Sequence, residues 1–349
     1  MERMEHIDIA VIGGGQSGLA AAYAAKKAGL RAVVLEAGQE PNGSWPHYYD
    51  SLTLFSPARF SSLPGLPFPG DGRRYPRRDE VVKYLKEYAD QLGADIRCGQ
   101  RVTKVSANGG FSLTTETGQQ LTSSYLIAAT GGFGAPHTPA LPGLDAFTGE
   151  VLHASAYRAP DAYAGQRVVV VGAGNSAVQI AAELARTARV SLASRNPVRW
   201  MNQRPLGRDL HWWLTRTGID SAPIGRFLGG QSMPVIDDGR YRAALGSGNP
   251  DRRPLFTRLE RDRAVWADGT HEHIDAVILA TGYRPDLGYL EGTGALDEQG
   301  APLHRAGVST TVRGLGYVGL EYQHNNASAS LRGVGCDAAY VLRKLVRRA

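Results

Sequence analysis

Two glycine-rich turns are the residues of this chain best suited to hold a phosphate: Gly13-Gly14-Gly15-Gln16-Ser17-Gly18 and Gly172-Ala173-Gly174-Asn175-Ser176-Ala177. Each follows a short β-branched apolar run, "IDIAVI" or "RVVVV", and each opens into helix formers, "LAAAYAAKKAG" or "VQIAAELAR". Strand, glycine turn and helix in that order make a cradle. The glycines allow a tight turn and a close approach of backbone to a pyrophosphate, and unpaired N–H groups at the helix start favour its negative charge. In the first cradle Gly13 makes the turn, Gly15 admits the phosphate and Gly18 lets helix and strand pack closely.

A carboxylate and a guanidinium distinguish the two cradles. Glu36 closes the strand "AVVLE", 23 residues after Gly13, where an acid takes a ribose hydroxyl. This predicts a dinucleotide with an unphosphorylated ribose, FAD or NAD. The same offset from Gly172 falls on Arg195, next to Ser194. A carboxylate would repel a 2′-phosphate, whereas guanidinium binds it with paired, charge-assisted hydrogen bonds, so the second cradle predicts NADP(H). Arg199 and Arg204 are secondary candidates for the same role.

A second echo places these turns in larger units. "SYLIAATGGFG" and "AVILATGYRPD" each end an apolar strand in Ala-Thr-Gly, bringing Thr130 and Gly131 to one cradle and Thr281, Gly282 and Tyr283 to the other. Small residues at the carboxyl end of a parallel strand leave room for a dinucleotide. The pattern predicts an α/β protein with two Rossmann-like dinucleotide-binding domains. One is expected over 1–147 and 290–349, discontinuous in sequence; the other over 148–289, with an inserted segment at 199–256. That insert, with Trp200, Trp212, Trp213 and the Arg204/Arg208/Asp209/His211 cluster, reads as a lid or substrate wall, or as a helical pair burying its tryptophans. A helix is expected near 79–92 and a hairpin region near 96–122.

Composition narrows the function classes. Cys98 and Cys336 are the two cysteines, far apart, which leaves no CxxC redox pair, disulfide framework or thiolate metal cluster. The formal charge of +6 comes from scattered arginines rather than a basic tract, so no nucleic-acid module is expected. No apolar run is long enough to cross a bilayer, the N-terminal stretch lacks a signal-peptide pattern, and a cytoplasmic protein with no metal and no membrane partner is the expectation.

Beyond the cradles, the chain resembles the flavin-containing monooxygenases along nearly its whole length. "FTGEVLHASAY" has the FxGxxxHxxxY spacing of that family's fingerprint, on Phe147, Gly149, His153 and Tyr157. Gly43-Ser44-Trp45 and "LATGY" support it, and "GSWPHYYDSLTLFSPARF" with "LRGVG" is similar to small bacterial members associated with arsenic resistance or metal transport. The resemblance implies FAD in the first cradle, with Ser44 and Trp45 beside it, and NADPH in the second. It implies transfer of one atom of O2, by way of a hydroperoxyflavin, to a soft nucleophile at nitrogen, sulfur or arsenic. Baeyer–Villiger oxidation of a ketone or aldehyde is the alternative, although Arg158 after Tyr157 departs from that branch. An NADPH-flavin reductase, oxidase or redox sensor is the further one. Candidate catalytic residues are His153, Tyr157, Asp50, Gln323, His324 and Asn325, with Tyr48 near the flavin ring and the helix start at Gly333–Gly335 facing it; His153 and Tyr157 could equally serve only to position the linker and cofactor. Partners are a small molecule and O2, and a homodimer is one oligomeric state left open. Two departures stand out. Asn42 replaces a family glycine and is expected to tolerate positive φ, and Phe55 falls at about the position of a loop Asn that animal members use at the flavin.

Overall fold

The computed structural model describes residues 5–228 and 233–347, so parts of the expected 1–147, 199–256 and 290–349 units lie outside the described residues. The chain opens with β1 (Glu5–Ile12), α1 (Gln16–Lys27) and β2 (Ala32–Leu35). An irregular stretch leads to α2 (Arg78–Leu92), which carries Asp79 and Glu80 in its first turn and stops at Gly93 in the left-handed region, φ +57°. Next come β3 (Asp95–Arg97) and a meander of β4 (Val102–Ala107), β5 (Phe111–Thr115) and β6 (Gln120–Ala128). The expected hairpin is thus the first half of a three-stranded unit.

A short strand, β7 (Ala135–Pro136), leads to β8 (Glu150–His153), β9 (Arg167–Val171), α3 (Asn175–Leu184) and β10 (Arg189–Ser194). The insert follows as β11 (Trp200–Asn202), α4 (Leu210–Arg216), α5 (Gly225–Leu228), β12 (Val235–Asp237) and α6 (Arg240–Gly246). Then come β13 (Asp251–Pro254), an antiparallel meander of β14 (Arg258–Glu260), β15 (Arg263–Val265) and β16 (His271–His273), and β17 (Ala276–Leu279). The return passes through β18 (Tyr283–Arg284), β19 (His304–Arg305), β20 (Val308–Ser309) and β21 (Leu315–Tyr317) to α7 (Val334–Val346).

Two sheets result. The first runs β19-β20-β21-β6-β1-β2-β3, parallel from β21 to β3, with β4 and β5 joined to β6. The second is the five-stranded parallel sheet β13-β10-β9-β17-β8. Parallel strands covered on both faces must be apolar throughout, which is why β1, β9 and β17 read as continuous hydrophobic runs. Ala-rich α1 packs flat between the first sheet and α7, sharing a core with Val334, Ala338 and Val341.

Register repeats between the sheets. Ile12 pairs with Ala128 where β1 meets β6, and Val171 pairs with Leu279 where β9 meets β17. Each glycine turn therefore leaves its sheet beside its own Ala-Thr-Gly turn. The two passages between sheets also pair with each other, β7 antiparallel to β18.

Candidate active site

The first cradle is enclosed. Gly13 has φ +102°, and a side-chain carbon there would stand 2.8 Å from the Ala129 carbonyl; at Gly18 it would collide with the Gly13 carbonyl. Gly15 begins α1 with no side-chain cap and no acid in the first turn, so the helix start is turned over to an anion. Buried Glu36 accepts hydrogen bonds from the backbone N–H of Gly14 (2.5 Å) and of Gly38 (2.6 Å), one on each carboxylate oxygen. Each oxygen retains a further lone pair for a ribose hydroxyl.

Three segments converge on this turn. The Trp45 indole donates to Gln16 Oε1 (3.0 Å), and the Gln16 amide donates to the Ala329 carbonyl (2.7 Å). Ser44 starts the short helical turn that carries Trp45, and Gly319 lies so close to Ser17 that any side chain there would strike its Oγ. The loop adopts positive φ at Gly43 (+56°) and not at Asn42, whose carboxamide instead donates to Glu40 (3.0 Å); this corrects the expectation for Asn42. Thr130 bonds Asp286 and Tyr289, and Gly131 turns at φ +75°.

The second cradle repeats the geometry but stays open. A side chain at Gly172 would strike the Ala280 carbonyl, yet one at Gly174 would meet nothing within 4 Å. Gly174 begins α3 without a side-chain cap or an acid in the first turn, Ser176 follows half-buried, and fully buried Ala177 fills the position of Gly18. Asn175 differs from the expectation: its carboxamide accepts from Ile236 N (3.2 Å) and donates to the Pro234 carbonyl (3.3 Å), which ties α3 to the insert. Only its backbone faces the cradle mouth. Arg195 is exposed just beyond β10 and, among the described residues, has no acidic partner; Ser194 donates to the Asn196 carbonyl. Arg204 is engaged by Tyr75 instead. Thr281 donates to the His137 carbonyl (2.5 Å), Gly282 turns at φ +86°, and Tyr283 stands in β18.

The remaining candidates are held by other residues. His153 Nδ1 accepts the Ser155 N–H (3.1 Å), and Nε2 meets the Gly282 carbonyl at 3.0 Å. A backbone N–H can only donate and a carbonyl can only accept, so the ring is the neutral Nε2–H tautomer, and burial pushes its pKa down. Its contacts fix the Ala-Thr-Gly turn of the second sheet. Tyr157 is in the core: its hydroxyl donates to Glu183 on α3 (2.9 Å), and burial with that neighbouring carboxylate drives its pKa up. That bond anchors Tyr157 to α3. Asp50 is exposed, and its carboxylate pairs with Arg78 (2.8 Å).

In the tail, the Gln323 side chain is spent on the backbone of Tyr317 and Leu320. His324 and Asn325 both reach Asp337 Oδ1 (3.2 Å each), and His324 stacks on Tyr340. These three residues shape the loop before α7 rather than presenting free polar groups. Asp337 is fully buried, its Oδ2 has no hydrogen-bond partner, and burial pushes its pKa up. Between the sheets, Tyr48 packs edge-on against Trp45, and crowding raises the pKa of Glu321 beside it and Gly132.

Several site-forming contacts lacked a sequence signal. Tyr49 bonds Gln179 on α3, and Phe55 stacks on His211 of the insert. Hydrogen bonds also tie the insert to the first sheet's segments: Tyr75 donates to Asp209 (2.6 Å), Arg332 holds Asp220 through two bonds (2.5 and 2.9 Å), and Gly225 N donates to the His324 carbonyl (3.1 Å). Of these residues, Asp209 and His211 stand in the cluster that the sequence singles out, and Phe55 is one of its two departures from the family. Among the described residues, no His, Cys, Asp and Glu group is arranged to hold a metal, and no helix is long and apolar enough to cross a membrane.

Comparison with known proteins agrees with this geometry. Residues 10–213 match the family model described as pyridine nucleotide-disulphide oxidoreductase. A CzcO-like oxidoreductase of Geobacillus kaustophilus is 32% identical over 98% of this chain and 99% of its own. The indole-3-pyruvate monooxygenase YUCCA1 of Oryza sativa is 33% identical over 79% of this chain and 77% of its own. Among solved structures, a flavin-containing monooxygenase from Stenotrophomonas maltophilia superposes with TM-score 0.87 at 32% identity, covering 99% of both chains. Members of this family use FAD and NADPH. The chain is thus an oxidoreductase belonging to the flavin-containing monooxygenases, with the bacterial CzcO-like proteins among its relatives.

Proposed function

We propose that this enzyme uses NADPH to drive the insertion of one oxygen atom from O2 into a small soft nucleophile at a nitrogen, sulfur or arsenic centre. The observation that carries the reading is the contrast at matching positions: buried Glu36 beside the enclosed cradle, exposed Arg195 beside the open one. The enclosed cradle suits a dinucleotide that stays, with Gly13, Gly15, Gly18, Ser17 and Gln16 around its pyrophosphate and Glu36 at a ribose. The open cradle suits one that comes and goes, with Gly172, Gly174 and the N–H groups of Ser176 and Ala177 on the diphosphate and Arg195 on a 2′-phosphate. FAD, when bound, accepts hydride from NADPH and activates oxygen.

The chain's own residues place and shield. Trp45 and Gln16 brace the loop over the first cradle, and His153, kept neutral, holds the Gly282 turn against the second. Tyr49 and Tyr157 pin α3, so the second helix start keeps its orientation toward the first sheet. We assign residues 1–147 and 290–349 to the FAD-binding domain and 148–289 to the NADPH-binding domain; β21 pairing with β6 and β8 pairing with β17 support this division.

A carbonyl substrate, oxidised in the Baeyer–Villiger manner, is the second reading. The rice relative supports it, since indole-3-pyruvate is a 2-oxo acid. One experiment tests both: FAD-loaded enzyme, NADPH and 18O2 with a thioether, a tertiary amine, a trivalent arsenical and a ketone in parallel. One labelled oxygen atom per NADPH consumed, in the first three or in the ketone, decides between the readings. Peroxide equal to NADPH with no labelled product from any of them leaves an oxidase and sinks both.

A further inference from the structure

The insert carries a surface that the reaction does not explain. Residues 199–228 contain five arginines and two acids, Asp209 and Asp220, with no lysine or glutamate. Both acids are buried and consumed, Asp209 by Tyr75 and His211, Asp220 by Arg332 and Asn326. Arg199, Arg204, Arg208 and Arg216 are exposed; Arg204 is answered by Tyr75, Asp209 and Asp238, which leaves Arg199, Arg208 and Arg216 with no ion pair to an acid among the described residues.

The same stretch concentrates exposed apolar side chains. Leu206 is 88% exposed and Phe227 67%, and Met201 and Ile219 are also exposed. Leu206 sits in the left-handed region, φ +52°, a conformation that an L side chain rarely adopts and that here turns an apolar group to water. Its turn is not loose. The Trp213 indole donates to the Pro205 carbonyl (3.0 Å), Trp212 packs edge-on against Trp213, and the Arg208 guanidinium lies 4.6 Å over Trp212. A braced turn therefore presents leucine at its tip with arginine and tryptophan at its flank.

We propose that this face is a peripheral docking surface for an anionic lipid bilayer, with Leu206 entering the headgroup region and Arg208 and Arg216 meeting the lipid charges. Apolar tip, tryptophan and arginine together are the composition of interfacial elements, and anionic surface potential attracts each arginine. A second copy of the chain fits less well. A two-fold interface sets one patch against its twin and would oppose like charges with no acid between them. Nucleic acid fits less well too, because a leucine at the tip has no phosphate partner.

The test is sedimentation of the FAD-loaded enzyme with vesicles of phosphatidylcholine alone or with 30% phosphatidylglycerol, at low and high salt. The expected result is binding to the anionic vesicles alone, weakened by salt. Leu206→Asp should weaken it about tenfold. Arg208→Glu with Arg216→Glu should weaken it by at least about five-fold per position. Flavin content and melting temperature in vesicle-free solution should match the parent, which shows both variants folded. Absence of binding at low salt, or equal binding to neutral vesicles, overturns the proposal. So does a dimer in light scattering that Leu206→Asp dissociates without any vesicle binding, or DNA binding that displaces the vesicles. None of these readouts depends on which substrate is oxygenated.

Discussion

The two cradles share register, turn and helix, yet one is closed by neighbours and the other is not. Gly15 has Gly43 against it and Gly18 touches the Gly13 carbonyl, whereas Gly174 has empty space and Ala177 fits where the first cradle needs glycine. Glu36 is bonded twice to backbone, while Arg195 stands in solvent. The difference teaches that a duplicated binding unit is specialised less by its glycines than by what the rest of the chain lays over it. Residues 42–45 and 319–329 cover the first; β11 and β12 run beside the second, and among the described residues nothing crowds Gly174.

This comparison can be broken at its extremes. Gly18→Ala should cost at least about 3 kcal/mol, because the new carbon meets a backbone carbonyl that cannot retreat, and the purified protein should lack flavin absorbance. Gly174→Ala should retain full flavin and parental thermal stability, with a raised KM for NADPH. Equal damage from both would show that the second cradle is closed as well. Arg195→Glu should lower kcat/KM for NADPH about 100-fold while leaving NADH nearly unchanged, measured at fixed ionic strength. Equal loss with both would move the 2′-phosphate contact to another residue.

Smaller effects sharpen the roles of the fingerprint residues. Tyr157→Phe should lose about 1 kcal/mol of stability with turnover within a few-fold of the parent. A collapse of turnover at unchanged melting temperature would return Tyr157 to the chemistry. His153 has a folded pKa below its ordinary value of 6.5, so the unfolded chain binds more protons and the contribution is present above about pH 6.5 and shrinks as pH falls. The stability gap between parent and His153→Gln should therefore narrow from pH 7.5 to pH 5, read by denaturant melts, and a gap that widens would reverse the assignment.

Much of the fold was legible because its signals are local. Apolar β-branched runs ending in glycine, followed by helix formers, identify β1-α1 and β9-α3 without reference to the rest of the chain, and a fixed offset finds Glu36 and Arg195. The tail was harder, since β19 and β20 are two residues each and owe their pairing to β21 rather than to propensity. Asp50, Gln323, His324 and Asn325 have the residue types of catalysis, but type says nothing of partners. Arg78, the backbone at 317–320 and Asp337 claim them from up to 28 residues away. Phe55 is intelligible only once the insert is seen to bring His211 against it. Contacts between residues far apart in sequence, such as Tyr157 with Glu183 or Asp220 with Arg332, leave no periodic trace.

The pairing of β7 with β18 has a mechanical consequence. The chain passes between its sheets twice, and both passages are joined side by side, with Thr130 and Thr281 each bonded to the opposite strand's approach. Two connections fastened at one place make that ribbon the pivot for rotation of one sheet against the other. The bonds of Asp209 to Tyr75, Asp220 to Arg332 and Gln179 to Tyr49 lie away from it, so such a rotation would have to break them first.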